Sequence, residues 1–511
     1  MTDIEVVRGE IQPWTDYSSY RRPAGGDALL ALLADALPAK AARTLIAGPH
    51  SHELIKLATA RSERVTVLLR SVSDATDLRE AFPDPEVTVV AGALDGLADG
   101  PYDLVIAADG LDRVLGYDSP ALTWPQRAEL VRALAGPDAV VLIGVENEFA
   151  LTGLYDRRPV DARHGDDEWR PLHDDPERPT SPDQVLAALP GARLFASFDA
   201  AGETHTLLDA AAAAGTRPGR PAARLALEGL AAAAAHTPLV APIATGAEAA
   251  ARAGLLGAVA PGWLAVLGPA GATHTAYTAT HSLDLGEQGW TVGDRVIPDT
   301  VSAETELFRL AAAEDVPGFR AYAARVDSFP LDDLYPAGGG FVRGVTEAPA
   351  GAGHDELLAA AWFRFRDRLV AAHRRHPWPP WMVESDDLVT TWLGMSGVEA
   401  TPELLARGRE LAAEFAGPVA EEPDVATALA DAEEDRKRAK ELAGKVFGLE
   451  RTLRFRDQSL KTREAQLRKL RDELRQYRTS PVLKLHDTAK KVAKIRHPKQ
   501  FARAVKKKLK G

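Results

Sequence analysis

Between Thr44 and Gly144 the chain alternates short apolar runs with stretches of helical spacing. The runs are Thr44–Ala47 (TLIA), Val65–Leu69 (VTVLL), Val87–Val90 (VTVV), Asp103–Ala107 (DLVIA) and Val140–Gly144 (VVLIG). Each is nearly continuous in apolar residues, as strands buried on both faces must be. Leu54–Ala60 and Pro125–Leu134 read as helices between them. Strands alternating with helices predict a parallel sheet with right-handed crossovers. Two more apolar runs, Arg193–Phe198 and Thr204–Leu208, lie only five residues apart. Five residues cannot make a crossover, so they predict an antiparallel hairpin. The expected fold class is therefore α/β over residues 1–210, a doubly wound sheet of seven strands with one antiparallel member near its end.

The pattern changes after residue 210. Residues 211–420 read as a mainly helical α+β domain, with helices over Ala303–Ala313, Pro317–Val326 and Asp355–His373. The last carries Leu358, Trp362, Phe365 and Leu369 on one stripe, the spacing of a core-facing helix. A hairpin is expected at Trp263–Leu267 and Thr273–Thr278, around Gly268–Ala272. Residues 425–478 keep a heptad. Its a positions, Val425, Ala432, Ala439, Val446, Leu453, Leu460, Leu467 and Leu474, are all apolar. Its d positions are Ala428, Asp435, Leu442, Leu449, Arg456, Arg463, Leu470 and Tyr477. A seam held over that length predicts a coiled coil and a homo-oligomer. Residues 479–511 form a basic tail in which Phe501, Val505 and Leu509 recur among lysines, the pattern of an amphipathic helix suited to an anionic membrane surface.

Charge sharpens that division. From Asp431 onward the chain holds 26 Lys and Arg against 11 Asp and Glu; with totals of 61 and 73, the preceding residues carry 35 against 62. An acidic body with a basic end points to an anionic partner for that end. The tail lacks interleaved aromatics and a reading module, so nucleic acid is not expected. There are no cysteines, which excludes disulfides and a cysteine nucleophile. No apolar run reaches the length of a membrane span, and Met1–Gln12 lacks the apolar core of a secretory signal, so a cytoplasmic location is expected, peripheral to the inner face of a membrane.

In open parallel sheets ligands bind at the carboxyl ends of the strands. The loops there hold Gly48 and His50, then Arg70, then Gly92 and Ala93, then Asp109 and Asp112, then Glu146 and Asn147. With this order of elements, and with the segments Tyr102–Val114 (YDLVIAADGLDRV) and Ala139–Phe149 (AVVLIGVENEF), residues 40–210 resemble a class I S-adenosylmethionine-dependent methyltransferase, a Rossmann-like fold. The resemblance covers about a third of the chain. It implies a Gly-rich first loop, five parallel strands and a reversed strand inserted near the end. It also implies S-adenosylmethionine held by Gly48, His50, Arg70, Gly92, Ala93 and Asp109, with Asp109, Asp112, Glu146 and Asn147 as candidate catalytic groups. A base there would take an acceptor's proton, and an amide would orient it.

Four positions here depart from the family's pattern. His50 and His52 stand where the first loop has glycines, Arg70 stands where an acid holds the ribose hydroxyls, and Ala93 replaces a further acid, with Asp95 near. Trp14, Tyr17 and Tyr20 could lid the crevice. Arg70 within Val65–Ser73 is also similar to the second strand of atypical NADP-dependent short-chain dehydrogenases, without their glycine fingerprint. His50 and His52, on a loop entering a helix, do not share a face and have no third ligand nearby, so no metal site is expected. Two functions follow. One is a methyltransferase acting on a small molecule, saccharide or cell-envelope glycan precursor at a membrane surface. The other is a non-catalytic scaffold that assembles partners through residues 425–478.

Overall fold

The structure is a computed structural model. It describes residues 4–12, 14–17, 22–158, 175–200, 202–235, 237–269, 271–326, 330–416, 425–479 and 481–495. Tyr20 and the expected amphipathic segment around Phe501, Val505 and Leu509 lie outside the described residues. The chain divides into two compact units, residues 1–420 and 421–511.

The first unit is built on one mixed sheet. Its strands are β1 (Glu5–Val6), β2 (Ala41–Ala47), β3 (Ser62–Leu69), β4 (Val87–Ala91), β5 (Tyr102–Ala107), β6 (Ala135–Glu146), β7 (Arg193–Ala200), β8 (Glu203–Asp209), β9 (Gly262–Leu267), β10 (Ala276–Thr278), β11 (Ser282–Gly286), β12 (Gly289–Val292) and β13 (Arg295–Ile297). The spatial order is β1-β4-β3-β2-β5-β6-β9-β7-β8-β10-β11-β12-β13. All five apolar runs between Thr44 and Gly144 become the parallel strands β2 to β6. Alternate residues serve opposite faces: Leu45 and Ala47 belong to one core cluster, Ile46 to the other. This period of two is what a strand covered on both sides requires.

The expected hairpin of β7 and β8 is present, pairing Ala196 with Leu208. The strand count and the expected end of the sheet at residue 210 are corrected. β9 lies between β6 and β7 and runs antiparallel to both, with Ile143 opposite Ala265 and Phe195 opposite Leu264. It is the reversed strand that the resemblance implied, supplied from beyond residue 210. The expected hairpin of Trp263–Leu267 with Thr273–Thr278 does not form, because β10 pairs with β8 and β11 instead. The reason is burial. Gly262–Leu267 is apolar throughout and goes to the sheet interior, whereas β10 begins the shorter antiparallel edge.

From Ala303 a separate helical core begins, around Phe308, Phe319, Trp362, Phe365 and Trp392. The expected stripe Leu358, Trp362, Phe365 and Leu369 is buried within it, on the helix His354–Ala371. The second unit contains one continuous helix, Val425–Thr479, and a shorter one, Pro481–Ile495. Among the described residues no helix is long and apolar enough to cross a membrane.

Because β9 closes the gap between β6 and β7, a fragment ending at residue 210 leaves two apolar strand edges unpaired. That fragment is expected to lack a cooperative thermal transition by near-ultraviolet circular dichroism. In the full chain, Trp263→Ala is expected to cost about 3–5 kcal/mol in urea unfolding, since Trp263 is fully buried and donates to the Gly257 carbonyl at 2.8 Å. A native-like transition in the fragment would contradict this reading of the sheet.

Candidate functional site

The carboxyl ends of β2 to β6 gather the loops that sequence reasoning singled out. Gly48 follows β2 at φ 90°, a left-handed conformation that glycine adopts without strain. Ser51 then caps the helix His52–Ala60 by accepting from the Leu54 amide. His50 sits inside this turn with its ring fully buried. Its Nδ1 is 2.9 Å from the Gly48 carbonyl, and its Nε2 is 3.0 Å from the Ala108 amide. A carbonyl only accepts and an amide N–H only donates, so the proton is on Nδ1 and Nε2 holds a lone pair. His50 is therefore a neutral tie between the loops after β2 and β5. Burial lowers its pKa below 6.5, which keeps it neutral. His52 points elsewhere, edge-on to Phe82 at 5.3 Å. Among the described residues no group of three or more His, Cys, Asp or Glu side chains could hold a metal ion.

Arg70, at the end of β3, is buried and clasped by a carboxylate from the N-terminal arm. Its Nε donates to Asp16 Oδ2 at 2.8 Å and its second Nη to Oδ1 at 2.6 Å; the side chains are 0% and 3% exposed. The fork-to-fork geometry gives two parallel charge-assisted bonds. Trp14 lies beneath the guanidinium, 5.6 Å away, and donates from its indole to Asp16. The Asp16 amide donates to Asp74 at 2.7 Å, and the Asp16 carbonyl accepts from Arg113 at 2.5 Å. Arg113 in turn holds Asp109 through Nε at 2.8 Å and a second bond. Asp109 is thereby engaged by a guanidinium four residues along its own loop.

The rest of the arm occupies the gap between the same loops. β1 pairs with β4, and the Val7 amide donates to Ala91. Ala93 donates to the Arg8 carbonyl at 3.0 Å, and Arg8 reaches Asp95. Ile11 is buried and bridges to Ser71, donating to the Arg70 carbonyl at 2.7 Å. Gly9 passes so close to Ala93 and Gly116 that a Cβ on either glycine would overlap its neighbour. Gly92 is equally tight against the Val7 carbonyl. Arg70, Gly92, Ala93 and the nearby Asp95 thus all meet the arm Val7–Asp16. Trp14 packs on the Arg70 guanidinium and Tyr17 against the core cluster of Leu54 and Ala75.

The remaining candidates form a second group. Asp112 pairs with Arg127 at 2.8 Å and Arg178 at 3.0 Å, and Arg178 also reaches Glu146 at 3.3 Å. Asn147 is a bracket. Its amide nitrogen donates to Ala258 and Ala260 at 2.8 and 2.7 Å, and its oxygen accepts from Phe149. These bonds pin the end of β6 to the loop that leads into β9. Of the four candidate catalytic groups, Asp112 and Glu146 thus share Arg178, while Asp109 is held by Arg113 and Asn147 by Ala258 and Ala260. Sequence reasoning missed Asp16, Arg113, Arg127 and Arg178. The available signal was a buried-strand Arg70 that required an acid, with Asp16 beside Trp14 and Tyr17.

As folded, these residues do not fit S-adenosylmethionine. A donor, Arg70, stands where the ribose hydroxyls need an acceptor, and backbone from the arm runs between the loops after β3, β4 and β5. A further cavity of about 430 Å³ lies between the helices Pro221–Ala234, Ile243–Ala253, Ala303–Ala312 and His354–Ala371. Charged groups in its lining are paired: Arg224 meets Asp332 at 2.8 Å, Arg368 meets Glu304 at 3.1 Å, and Arg374 meets Glu248.

No family model matches the chain, and no curated protein does. Solved structures with a similar fold include three methyltransferases. The N-methyltransferase NodS from Bradyrhizobium japonicum WM9, in complex with S-adenosyl-L-homocysteine, is 15% identical over 24% of this chain and 59% of its own, with a TM-score of 0.19. The CcbJ methyltransferase from Streptomyces caelestis is 22% identical over 26% and 54%, at 0.20. An S-adenosylmethionine-dependent methyltransferase from Mesorhizobium loti is 17% identical over 27% and 62%, at 0.21. This chain thus spans between half and two thirds of each.

Two outcomes test the site. Breaking a buried ion pair leaves an uncompensated charge, so Asp16→Ala and Arg70→Met are each expected to cost about 3–5 kcal/mol in urea unfolding. Asp16→Leu combined with Arg70→Met is expected to recover most of that loss, because an apolar pair of similar volume is often neutral. Additive losses would show that the two groups do not act as a pair.

The second test is pH. The unfolded chain protonates His50 at its ordinary pKa of 6.5 and the folded chain below it. Stability from His50 is therefore complete above 6.5 and lost as pH falls, by up to about 1.4 kcal/mol per unit. Glu304 acts with the opposite sign. Burial raises its carboxyl from 4.5 to about 7, so its contribution is present at low pH and lost as pH rises through that window. The stability difference between wild type and His50→Gln should therefore grow as pH rises to 6.5 and then level. A difference that stays constant with pH would show that His50 does not titrate as described.

Proposed function

We propose that this chain is a methyltransferase-type protein whose folded state is closed to S-adenosylmethionine, so that with its arm in place it serves as a binding module and not as a catalyst. The observation that carries this reading is the Arg70–Asp16 clasp, with Val7–Ile11 threaded between the strand-end loops. The magnitude favours closure. Withdrawing Asp16 strands a buried guanidinium, which costs about 3–5 kcal/mol before any ligand binds. On that basis the apparent affinity of a ligand needing the open crevice falls at least a hundredfold.

A second reading rests on one specific observation: the reversed β9 between β6 and β7, which keeps the full methyltransferase layout around the crevice. Under it, release of the arm opens the crevice and the protein becomes a methyltransferase. The finer expectation of a saccharide or glycan acceptor at an anionic membrane surface rests on the basic residues 479–511 alone. The dehydrogenase alternative gains no support from an Arg70 already committed to Asp16.

Calorimetric titration with S-adenosylmethionine and S-adenosylhomocysteine separates these readings. The proteins are the full chain, Asp16→Ala, and a form lacking residues 1–17, each checked for fold by circular dichroism. The closed module expects no heat of binding from the full chain. Binding by the shortened form alone establishes arm-gated cofactor access. Micromolar binding by the full chain would falsify the closed crevice outright.

A further inference from the structure

The helix Val425–Thr479 leaves its apolar seam uncovered in the single chain. Leu442, Val446, Leu449, Leu453, Leu460, Leu467, Leu470, Leu474 and Tyr477 are each 54–70% exposed, although together they make one stripe. An isolated helix gains nothing from such a stripe, and the charge pairs along it are weak. Glu450 to Arg454 and Glu464 to Arg468 are both 3.8 Å apart and solvated.

We propose that a second copy of the same helix covers this seam, running parallel and in register. This goes beyond any reading of the crevice and does not depend on it. The charges that flank the seam carry the argument. In a parallel pair, each g residue faces the e residue five positions later in the other copy. Lys445 then faces Glu450, and Glu473 faces Arg478. The other g–e combinations, from Arg438 with Ala443 to Gln466 with Arg471, each contain an uncharged residue, so no like-charge pair arises.

The antiparallel arrangement of greatest overlap is poorer. It sets the two copies of Glu450 beside each other, and its attraction is between Arg436 and Glu464. The two arginines inside the seam agree with the parallel choice. The hole that receives a d side chain includes the e residue of the facing heptad. Arg456 therefore meets Asp457 of the second copy, and Arg463 meets Glu464. These polar layers fix register, as single buried polar positions do in other coiled coils. A consequence follows from connectivity: both basic segments, with eleven Lys and Arg each, leave the same end of the coil.

The chain has no cysteine, so single cysteines report orientation cleanly. Leu442→Cys and Leu460→Cys are made separately in the full chain and oxidised, alone and mixed. Parallel in-register pairing expects each variant to cross-link with itself and no cross-link between the two. Cross-linking only in the mixture would establish the antiparallel pair and overturn the proposal. So would a monomeric or trimeric mass by sedimentation at about ten micromolar, a concentration at which a seam this long should be paired. Lys445→Glu should weaken self-association on the order of tenfold, and Glu450→Lys added to it should restore it. No restoration would show that these flanks do not set the pairing.

Discussion

A guanidinium buried in a strand end must find an acid, and Arg70 finds it in Asp16, 54 residues earlier in the chain. Much of the strand-end architecture depends on that pair. Asp16 also spends its backbone: its amide reaches Asp74 and its carbonyl reaches Arg113, which holds Asp109. One residue thus joins the loops after β3 and β5 to the arm. Such a pair adds little net stability over an apolar one of equal volume, but leaving either partner alone is costly. Its value is specificity of position. Val7 to Ile11 pair along the ends of β3 and β4 beside it.

Parallel strands β2 to β6 were legible in the sequence because their signal is local. Each is an apolar run that must be buried on both faces, whatever its neighbours. The order around β9 was not legible, because pairing between strands is decided by which edges remain open. Trp263–Leu267 and Thr273–Thr278, with Gly268 between, have the look of a hairpin. Only the vacancy between β6 and β7 decides that the first goes inward and the second does not. The boundary expected at residue 210 was misplaced for the same reason. The helical segments after Ala210 read as the start of another domain, yet the sheet draws its central reversed strand from beyond them.

Positions in the site were easier to read than roles. Arg70, Ala93, Asp109 and Asn147 all stand at strand ends, as the topology required. What each does depends on groups far away in sequence. Asn147 is bound by carbonyls more than a hundred residues later, and its donors are saturated there. His50 reads as a blocked glycine in the first loop. In the fold its ring bridges Gly48 and Ala108, so the substitution rigidifies the turn that it seemed only to obstruct. A polar residue at a strand end has a small set of bonds to offer, and sequence does not say which partner takes them.

The two ends of the chain resolve their apolar surface in opposite ways. The arm buries Ile11 within its own unit and lays the ring of Trp14 against Arg70. The helix Val425–Thr479 keeps a stripe of leucines more than half exposed along roughly 50 Å. At about 25 cal/mol per Å² of apolar area, such a stripe is a substantial reserve of association energy. The second unit thus leaves its apolar seam exposed, while the first unit buries Ile11 of its arm.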